Sequence, residues 1–235
     1  MEKSSVDRIR DRFDRDVERF SNLHTGQSST IDSPLVLELM AAAISDLHPH
    51  IDELLDIGCG AGNYALKVLH EHPGMAVTLL DLSEPMLQRA QQRLEEAGAG
   101  KLTTMQSDVR NARLDAQRYD VVVTGAALHH LRTDEEWLKV MHSVYQTLRS
   151  GGSFWCFDLV NHDIPEVDRL MWFRYGEYLE ASGGPAYRDK VFSYIDEEDT
   201  PRSVTYQLDL LKEVGFRLRD VVHKNSCFCL YTAQK

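Results

Sequence analysis

The stretch DIGCGAGNY, residues 56–64, decides the fold of this chain. It continues the apolar run ELLDI and leads into a helical pattern, so it predicts a turn from a first strand to a first helix. Such a turn presents backbone N–H groups and the positive end of a helix dipole at the carboxyl edge of a sheet. We therefore expect Gly58, Cys59 and Gly60 to line a ligand site.

Short apolar runs alternate with helical patterns from residue 53 onward. Helix starts are indicated by Ser83 before EPMLQRAQQRLEEAG and by Thr133 with Glu136, which form a capping-box pattern. This alternation predicts a parallel sheet with helices on both faces. Near the C-terminus only the dipeptide NS separates RLRDVVHK from CFCLYTA, so these segments should form a hairpin with an antiparallel last strand. The strand-like runs are ELLDI, VTLLD, LTTMQSD, YDVVVTGAA and SFWCFDLV.

The organisation fits one domain with additions to a central core. Apolar residues spaced by three and four in VDRIRDRFDRDVERF predict one N-terminal amphipathic helix, and a second helix should begin at Ser33. We expect the aromatic-rich insertion and the N-terminal segment to form a lid that becomes ordered when ligands bind. The predicted parts are N-terminal cap helices over 1–50, a cofactor-binding core over 51–160, a helical lid insertion over 161–200, and a last helix with a β-hairpin over 201–235.

Composition restricts the partners. The 235 residues include 37 acidic and 26 basic side chains, a net charge of −11, which disfavours nucleic acid. Four cysteines without a zinc or disulfide pattern, and no apolar leader or membrane-length run, predict a cytoplasmic protein that binds no membrane. Of these, Cys227 and Cys229 should pack on one face of the last strand. A homodimer is compatible with the sequence.

Acidic residues stand at the ends of the first three predicted strands, namely Asp56, Asp81 and Asp108. Asp56 would face the pyrophosphate of a dinucleotide, and two like charges about 6 Å apart repel by about 3 kcal/mol at an effective dielectric near 20. Gly62 also stands one residue early for the dinucleotide fingerprint. The site should therefore prefer a ligand with positive charge there, such as S-adenosylmethionine, with Asp81 accepting the ribose hydroxyls.

The motifs LLDIGCGAGNYA, VTLLDLSEPML, MQSDVRN, YDVVVTGAALHHL and LRSGGSFWCFDL together resemble the class I S-adenosylmethionine-dependent methyltransferases. The resemblance covers residues 53–160 and extends through the last helix and hairpin. It implies an α/β Rossmann-like fold of seven mostly parallel strands in the order 3-2-1-4-5-7-6, with strand 7 antiparallel. It also implies that the glycine loop lines the methionine moiety, that Asp81 holds the ribose, and that Leu82 and Met86 flank the adenine. Asp108 and the Val109 amide would read the adenine edge, and we add Gly125 to this cofactor set.

Methyl transfer from a sulfonium needs alignment and water exclusion more than a catalytic triad. His129 and His130 follow the fourth strand, and as neighbours they should face different ways, so that only one reaches the acceptor. We take His130 as the candidate catalytic residue, either a contact or a base. The competing interpretation is a helix-entry histidine bonded to backbone. We expect no metal, because no third ligand stands at a diagnostic spacing.

The insertion LMWFRYGEYLEA supplies four candidate acceptor-binding residues. Arg174 stands four residues before Tyr178, so the two side chains can share one wall. One cation in an aromatic cage would suit a small acidic or aromatic acceptor, whereas plain packing of the lid is the alternative. The four candidates are Trp172, Arg174, Tyr175 and Tyr178.

Several functions compete. We favour a methyltransferase acting on a small molecule over a nucleic-acid base methyltransferase, since the fourth strand ends in TGAALHHL without an Asn/Asp-Pro-Pro-aromatic motif. The C-terminal part also resembles carboxy-S-adenosylmethionine synthase, an enzyme related to tRNA modification, although Leu210 stands where that family has an arginine. A protein that binds the cofactor without methyl transfer is a further alternative.

Overall fold

The computed structural model describes residues 3–22 and 28–235, which form one central sheet with helices on both faces. The strands are β1 (Glu53–Ile57), β2 (Ala76–Asp81), β3 (Leu102–Gln106), β4 (Tyr119–Gly125), β5 (Leu148–Leu159), β6 (Leu218–Asn225) and β7 (Phe228–Gln234). The helices are α1 (Val6–Asp14), α2 (Val17–Ser21), α3 (Ser33–Leu47), α4 (Asn63–Glu71), α5 (Glu84–Glu96), α6 (Asp134–Thr147), α7 (Pro165–Gly183), α8 (Pro185–Glu198) and α9 (Val204–Val214), with a 3₁₀ turn at Leu128–His130.

The strand order is β3-β2-β1-β4-β5-β7-β6, which confirms the predicted seven-stranded sheet. Strands β1 to β5 pair in parallel, and β7 pairs antiparallel with both β5 and β6. The chain reverses between β6 and β7 at Ser226, which has a positive φ of 51°. Because the order of the strands reverses beside β1, a crevice opens at the carboxyl ends of β1 and β4, where ligands bind in such sheets.

Each face of the sheet has its own hydrophobic core. Leu54 belongs to the core under α3, α4 and α5, whereas Leu55 belongs to the core under α6 and α9, as the alternation of a strand requires. Cys227 and Cys229 are both buried, but they lie in different cores, so the prediction of a shared face is wrong. Cys227 precedes β7 and follows the turn, where the strand alternation does not hold.

Helix ends follow the capping rules closely. The Oγ atoms of Ser83 and Ser203 accept hydrogen bonds from Met86 N and Tyr206 N at the starts of α5 and α9. Thr133 caps α6 as predicted, by accepting from Glu136 N. Strand β5 begins earlier than expected, at Leu148, since its first residues pair with β4 before an irregularity in the register.

The N-terminal segment differs from the prediction of one continuous helix. The chain leaves the helical conformation at Asp16, just after the last turn of α1, and this separates α1 from α2. The rings of Phe13 and Phe20 nevertheless approach each other, with centroids 5.5 Å apart. The break turns both rings toward the crevice instead of leaving them along one straight helix.

Four helices cover the carboxyl edge of the sheet, and we call α1, α2, α7 and α8 the cap. The two halves of the cap hold each other: Ser4 N donates to Glu197 O at 2.9 Å, and Arg12 forms a two-pronged ion pair with Glu198. The cap also contacts the sheet domain, where Asn63 Nδ2 donates to Phe20 O at 3.0 Å. Among the described residues, no helix combines the length and apolar character that crossing a bilayer requires.

Candidate functional site

The glycine loop after β1 lies tightly between two neighbouring strand ends. Gly58 and Cys59 donate their backbone N–H groups to Leu80 O at 2.8 and 3.1 Å. Gly58 has a φ of +64°, and a Cβ added there would stand 2.5 Å from the Cβ of Ala127. Only glycine fits this position, which lets the backbone itself form the wall of a cavity.

Gly62 serves packing rather than ligand contact. It caps α4 with a φ of +81°, and an added Cβ would lie 3.1 Å from the Cβ of Ala90 and 3.2 Å from a methyl carbon of Leu94. This glycine therefore allows the start of α4 to approach α5. In the dinucleotide-binding fingerprint, the third glycine, which allows close packing of the helix, stands one residue later than Gly62 does here.

Asp81 occupies the cavity wall at the end of β2, as predicted. Its Oδ2 accepts from Gly60 N at 2.8 Å and its Oδ1 accepts from Ser83 N at 2.9 Å. Burial raises the pKa of this carboxyl, and these backbone hydrogen bonds act in the opposite direction. The side chain is thus fixed in orientation, and each oxygen keeps a lone pair for a ligand hydroxyl.

Asp56 lies behind the loop rather than on the cavity wall, which corrects the prediction that it faces the ligand. Its carboxylate is fully buried, and Oδ2 accepts from Ala65 N at 3.2 Å at the start of α4. Oδ1 has no hydrogen-bond partner among the described residues. Burial, with a smaller contribution from Asp81, raises the pKa of Asp56 to about 7.

Asp108 reaches the cavity at the end of β3, but an arginine engages it. Arg110 Nε donates to Oδ1 and Oδ2 at 2.9 and 3.0 Å, and Arg110 also pairs with Glu136. Burial alone would raise the pKa of Asp108, yet the bonds from Arg110 outweigh it and lower the pKa. The cavity wall beside it includes the predicted residues Leu82, Met86 and Val109.

Gly125 ends β4 directly against the ring of Tyr64, a residue that is not among the predicted site residues. A Cβ at this position would stand 2.2 Å from the ring of Tyr64, so the glycine gives Tyr64 its room. Tyr64 lines the cavity from the first turn of α4. Tyr64 follows the glycine loop directly in the sequence, and this position could have indicated that it lies beside the ligand site.

His129 is held by a buried carboxylate at the end of β5. Its Nδ1 bonds to Asp158, which also accepts from Leu128 N at 2.8 Å and from His129 N at 3.2 Å. Burial by itself lowers the pKa of His129, but the carboxylates of Asp199 and Asp158 outweigh it and raise the pKa to about 9. Asp158 is not among the predicted site residues, although it stands near a strand end in SFWCFDLV.

His130 and His129 line the same cavity, so the expectation that only one of them could face it is wrong. Their ring centroids are 4.4 Å apart because the 3₁₀ turn and a shared acid bring both rings to one side. That acid is Asp199, whose Oδ1 lies 3.1 Å from His130 Nδ1 and 3.6 Å from His129 Nε2. Both histidines lower the pKa of Asp199 against the opposing effect of its burial.

Among the four predicted acceptor residues, only Tyr175 lies on the cavity wall. Trp172 packs on the outer side of Tyr175 at a centroid distance of 5.9 Å, and the hydroxyl of Tyr178 donates to Ser28 O at 3.0 Å. Arg174 is exposed on the surface of α7. The prediction that Trp172, Arg174 and Tyr178 line the cavity is therefore wrong. Trp172 and Tyr178 flank Tyr175 on the packed face of α7 without reaching the cavity, and Arg174 lies on the exposed face.

Cations reach the cavity from the N-terminal half of the cap instead. Arg12 and Arg19 line it together with Phe13 and Phe20. Arg12 is held by Glu198, and Arg19 is held by Asp16. The apolar spacing of the N-terminal helix predicts that its apolar face packs against the rest of the protein. The charged residues beside this face carry no sequence pattern that would place them next to a ligand.

The cavity therefore joins two chemically different regions. One region has the glycine loop and the strand-end acid Asp81. The other has His129, His130 and Asp199 among apolar and aromatic side chains. The remaining apolar wall of this second region comprises Leu159, Tyr194, Ile195 and Phe228. Leu210 is buried in the core under α6 and α9 and supplies no charge to the cavity.

Comparisons with known proteins agree with this architecture. A methyltransferase-domain family model matches residues 54–152. Malonyl-[acyl-carrier protein] O-methyltransferase of Paenibacillus sp. is 28% identical over 103 residues, which cover 43% of this chain and 36% of that protein. Demethylmenaquinone methyltransferase of Listeria welshimeri is 26% identical over 125 residues, which cover 52% of each chain.

Similarity in structure extends over nearly the whole chain. The structure of human N-acetylserotonin methyltransferase in complex with SAM superposes with a TM-score of 0.62 at 17% identity, and it covers 97% of this chain and 57% of that chain. The chain spans between about a third and about half of the length of the two curated relatives. Residues 54–152 thus match a methyltransferase domain, and the fold of the chain is similar to that of a solved methyltransferase structure.

Proposed function

We propose that the protein transfers a methyl group from S-adenosylmethionine to a small molecule enclosed beneath the cap. The observation that carries this proposal is that one cavity connects the glycine loop and Asp81 to the pocket beside His129, His130 and Asp199. A cofactor and an acceptor bound in these two regions would be neighbours in a site that the cap shields from water. Alignment and desolvation of this kind are what methyl transfer requires.

The cofactor region fits a nucleoside with a charged tail. The loop has glycines with positive φ at 58 and 60, so its backbone can approach a ligand closely. Asp81 would accept the ribose hydroxyls, Leu82 and Met86 would flank the base, and Asp108 with the Val109 amide would read its edge. The cofactor would supply a methyl group already activated on a sulfonium.

The acceptor region combines aromatic walls with polar groups at one place. Phe13, Phe20 and Tyr175 border it, so a flat or apolar acceptor would bury its surface there. His130 remains our candidate for a contact or base. What supports this role is that its ring nitrogens are buried and make no well-formed hydrogen bond within the part of the chain that the structure describes.

The cofactor assignment is tested by calorimetry with S-adenosylhomocysteine and with NAD. We expect binding of the former only, and at least a tenfold loss of affinity for Asp81→Asn, because hydrogen bonds to a charged group contribute about 1.5–3 kcal/mol each. Asp46→Asn, at an exposed position on α3, is the matched control and should bind normally. NAD binding as tightly as S-adenosylhomocysteine would contradict the assignment.

The acceptor class is tested with S-adenosylmethionine labelled in its methyl group. Incubation of the protein with a fractionated cell extract should place the label in the small-molecule fraction. The net charge of −11 is the reason that we do not expect labelled RNA. Label that appeared only in RNA or protein would overturn the small-molecule proposal and leave the cofactor site intact.

A further inference from the structure

Two imidazoles and a carboxylate converge on the cavity wall from distant parts of the sequence. Asp199 Oδ1 lies 3.1 Å from His130 Nδ1 and 3.6 Å from His129 Nε2, and the three donor atoms all lie within 4.8 Å of one another. A tetrahedral ion with bonds of about 2.0–2.2 Å holds its ligand atoms about 3.3–3.6 Å apart. The spacing of these side chains therefore already approximates a metal site.

His129 has the support that metal-binding histidines usually have. Its Nδ1 bonds to the buried carboxylate of Asp158, which leaves Nε2 as the atom that faces Asp199. Leu128 N and Leu159 N donate to Asp158 at 2.8 and 2.7 Å, so the carboxylate itself is fixed. A carboxylate behind a histidine orients the ring and strengthens it as a ligand.

His130 has an unsatisfied position in the described structure. Its Nδ1 and Nε2 are buried, and neither makes a well-formed hydrogen bond with the described residues, although Nδ1 lies near Asp199. Buried polar atoms normally have a partner, and a metal ion would give Nδ1 one.

We propose that His129, His130 and Asp199 bind a divalent transition-metal ion. Two imidazoles with one carboxylate suit Zn²⁺ or Fe²⁺ and leave coordination positions open toward the cavity. This proposal departs from the expectation of no metal, which rested on sequence spacing, because the third ligand follows α8 far from the histidine pair in the sequence. Of the two roles proposed for His130, a contact or a base, this arrangement leaves only the contact, which His130 would make through the ion that its Nδ1 holds.

The metal ion would determine which class of acceptor is methylated, and this step rests on the proposed function. A hydroxyl or thiol bound to a divalent cation loses its proton to water more readily, and the resulting anion is the better nucleophile. The acceptor class is then a small molecule with such a group beside an apolar body. Metal binding itself does not depend on this role.

The test uses the full chain after removal of metal by a chelator and dialysis. We expect calorimetry with Zn²⁺ to give one ion per chain, and Co²⁺ to produce visible absorption bands of a site with nitrogen and oxygen ligands. His130→Ala and Asp199→Asn should weaken Zn²⁺ binding by more than about 100-fold, and Asp158→Asn by about 10–100-fold. His142→Ala, at an exposed position on α6, should bind as the unmodified protein does.

Titration of the same samples with S-adenosylhomocysteine separates the two proposals. Absence of stoichiometric Zn²⁺ binding, with S-adenosylhomocysteine still bound, would overturn the metal site and leave the proposed function standing. Zn²⁺ binding without S-adenosylhomocysteine binding would overturn the proposed function and leave the metal site standing. Unchanged Zn²⁺ affinity in Asp199→Asn, which conserves side-chain volume, would also overturn the metal site, and circular dichroism checks that each variant is folded.

Discussion

Asp56 should make the stability of this protein depend on pH. A solvated aspartic acid side chain has an ordinary pKa of 3.8, and burial raises the pKa of Asp56 in the folded protein to about 7. Between these two values the folded state therefore binds more protons than the unfolded state. The free energy of unfolding must fall as the pH rises through this window, and it should level off above it.

The size of this effect follows from the shift. Three pKa units correspond to about 4 kcal/mol, at about 1.36 kcal/mol per unit. About 2.5 kcal/mol of the loss falls between pH 5 and pH 8. Asp56→Asn keeps an oxygen that can accept from Ala65 N and removes the titration, so the variant should gain about 2.5 kcal/mol over the unmodified protein across that range.

The measurement is urea unfolding of the protein and of Asp56→Asn at pH 5, 6, 7 and 8. The difference between the two unfolding free energies isolates Asp56 from the other titrating groups. Asp46→Asn serves as the control because its side chain is exposed on α3, and it should follow the unmodified protein. A constant difference between Asp56→Asn and the unmodified protein at all four pH values would refute the reasoning.

Three other outcomes can be checked. Gly125→Ala should lower the unfolding free energy by about 1–3 kcal/mol, because the added Cβ would stand 2.2 Å from the ring of Tyr64. Gly176→Ala on α7 is the control: its added Cβ would meet its nearest atom at 3.4 Å, so thermal unfolding should show little change. Arg12→Met should lower the unfolding free energy by about 3 kcal/mol, since it leaves the buried carboxylate of Glu198 unpaired, and it should reduce turnover. Arg174→Ala, at an exposed position, should change neither the unfolding free energy nor turnover. Hydrogen exchange should show stronger protection of the cap helices with S-adenosylhomocysteine than without it, and equal protection would argue against a lid that orders on binding.

The sheet could be predicted because its indications are local. Apolar runs, capping residues and a two-residue connection each constrain a few neighbouring residues, and the handedness of parallel connections leaves few ways to join them. The sheet fixes where a residue at the end of a strand lies, and for this reason Asp81 and Asp108 reach the cavity as predicted. Asp56 stands at a strand end as well, but its side chain points behind the loop.

The cap could not be predicted in the same way. The spacing of Arg174 and Tyr178 shows which side chains lie near one another on a helix, but only the docking of that helix decides which face meets the cavity. Arg12 and Asp199 lie almost two hundred positions apart in the sequence, and they border one site only because α1 packs beside α8. No local pattern carries information about such a contact.

The origin of the cavity walls has an evolutionary consequence. The cofactor region is built from the turns of the sheet, whereas much of the acceptor region comes from the cap, which lies outside the alternating strands and helices. Substitutions, insertions or deletions in α7, α8 or the N-terminal helices can therefore reshape the acceptor region while the strand register and the glycine loop stay unchanged. Changes confined to the cap therefore alter the shape of that half of the cavity, and exchange of cap segments between relatives is the corresponding route for engineering.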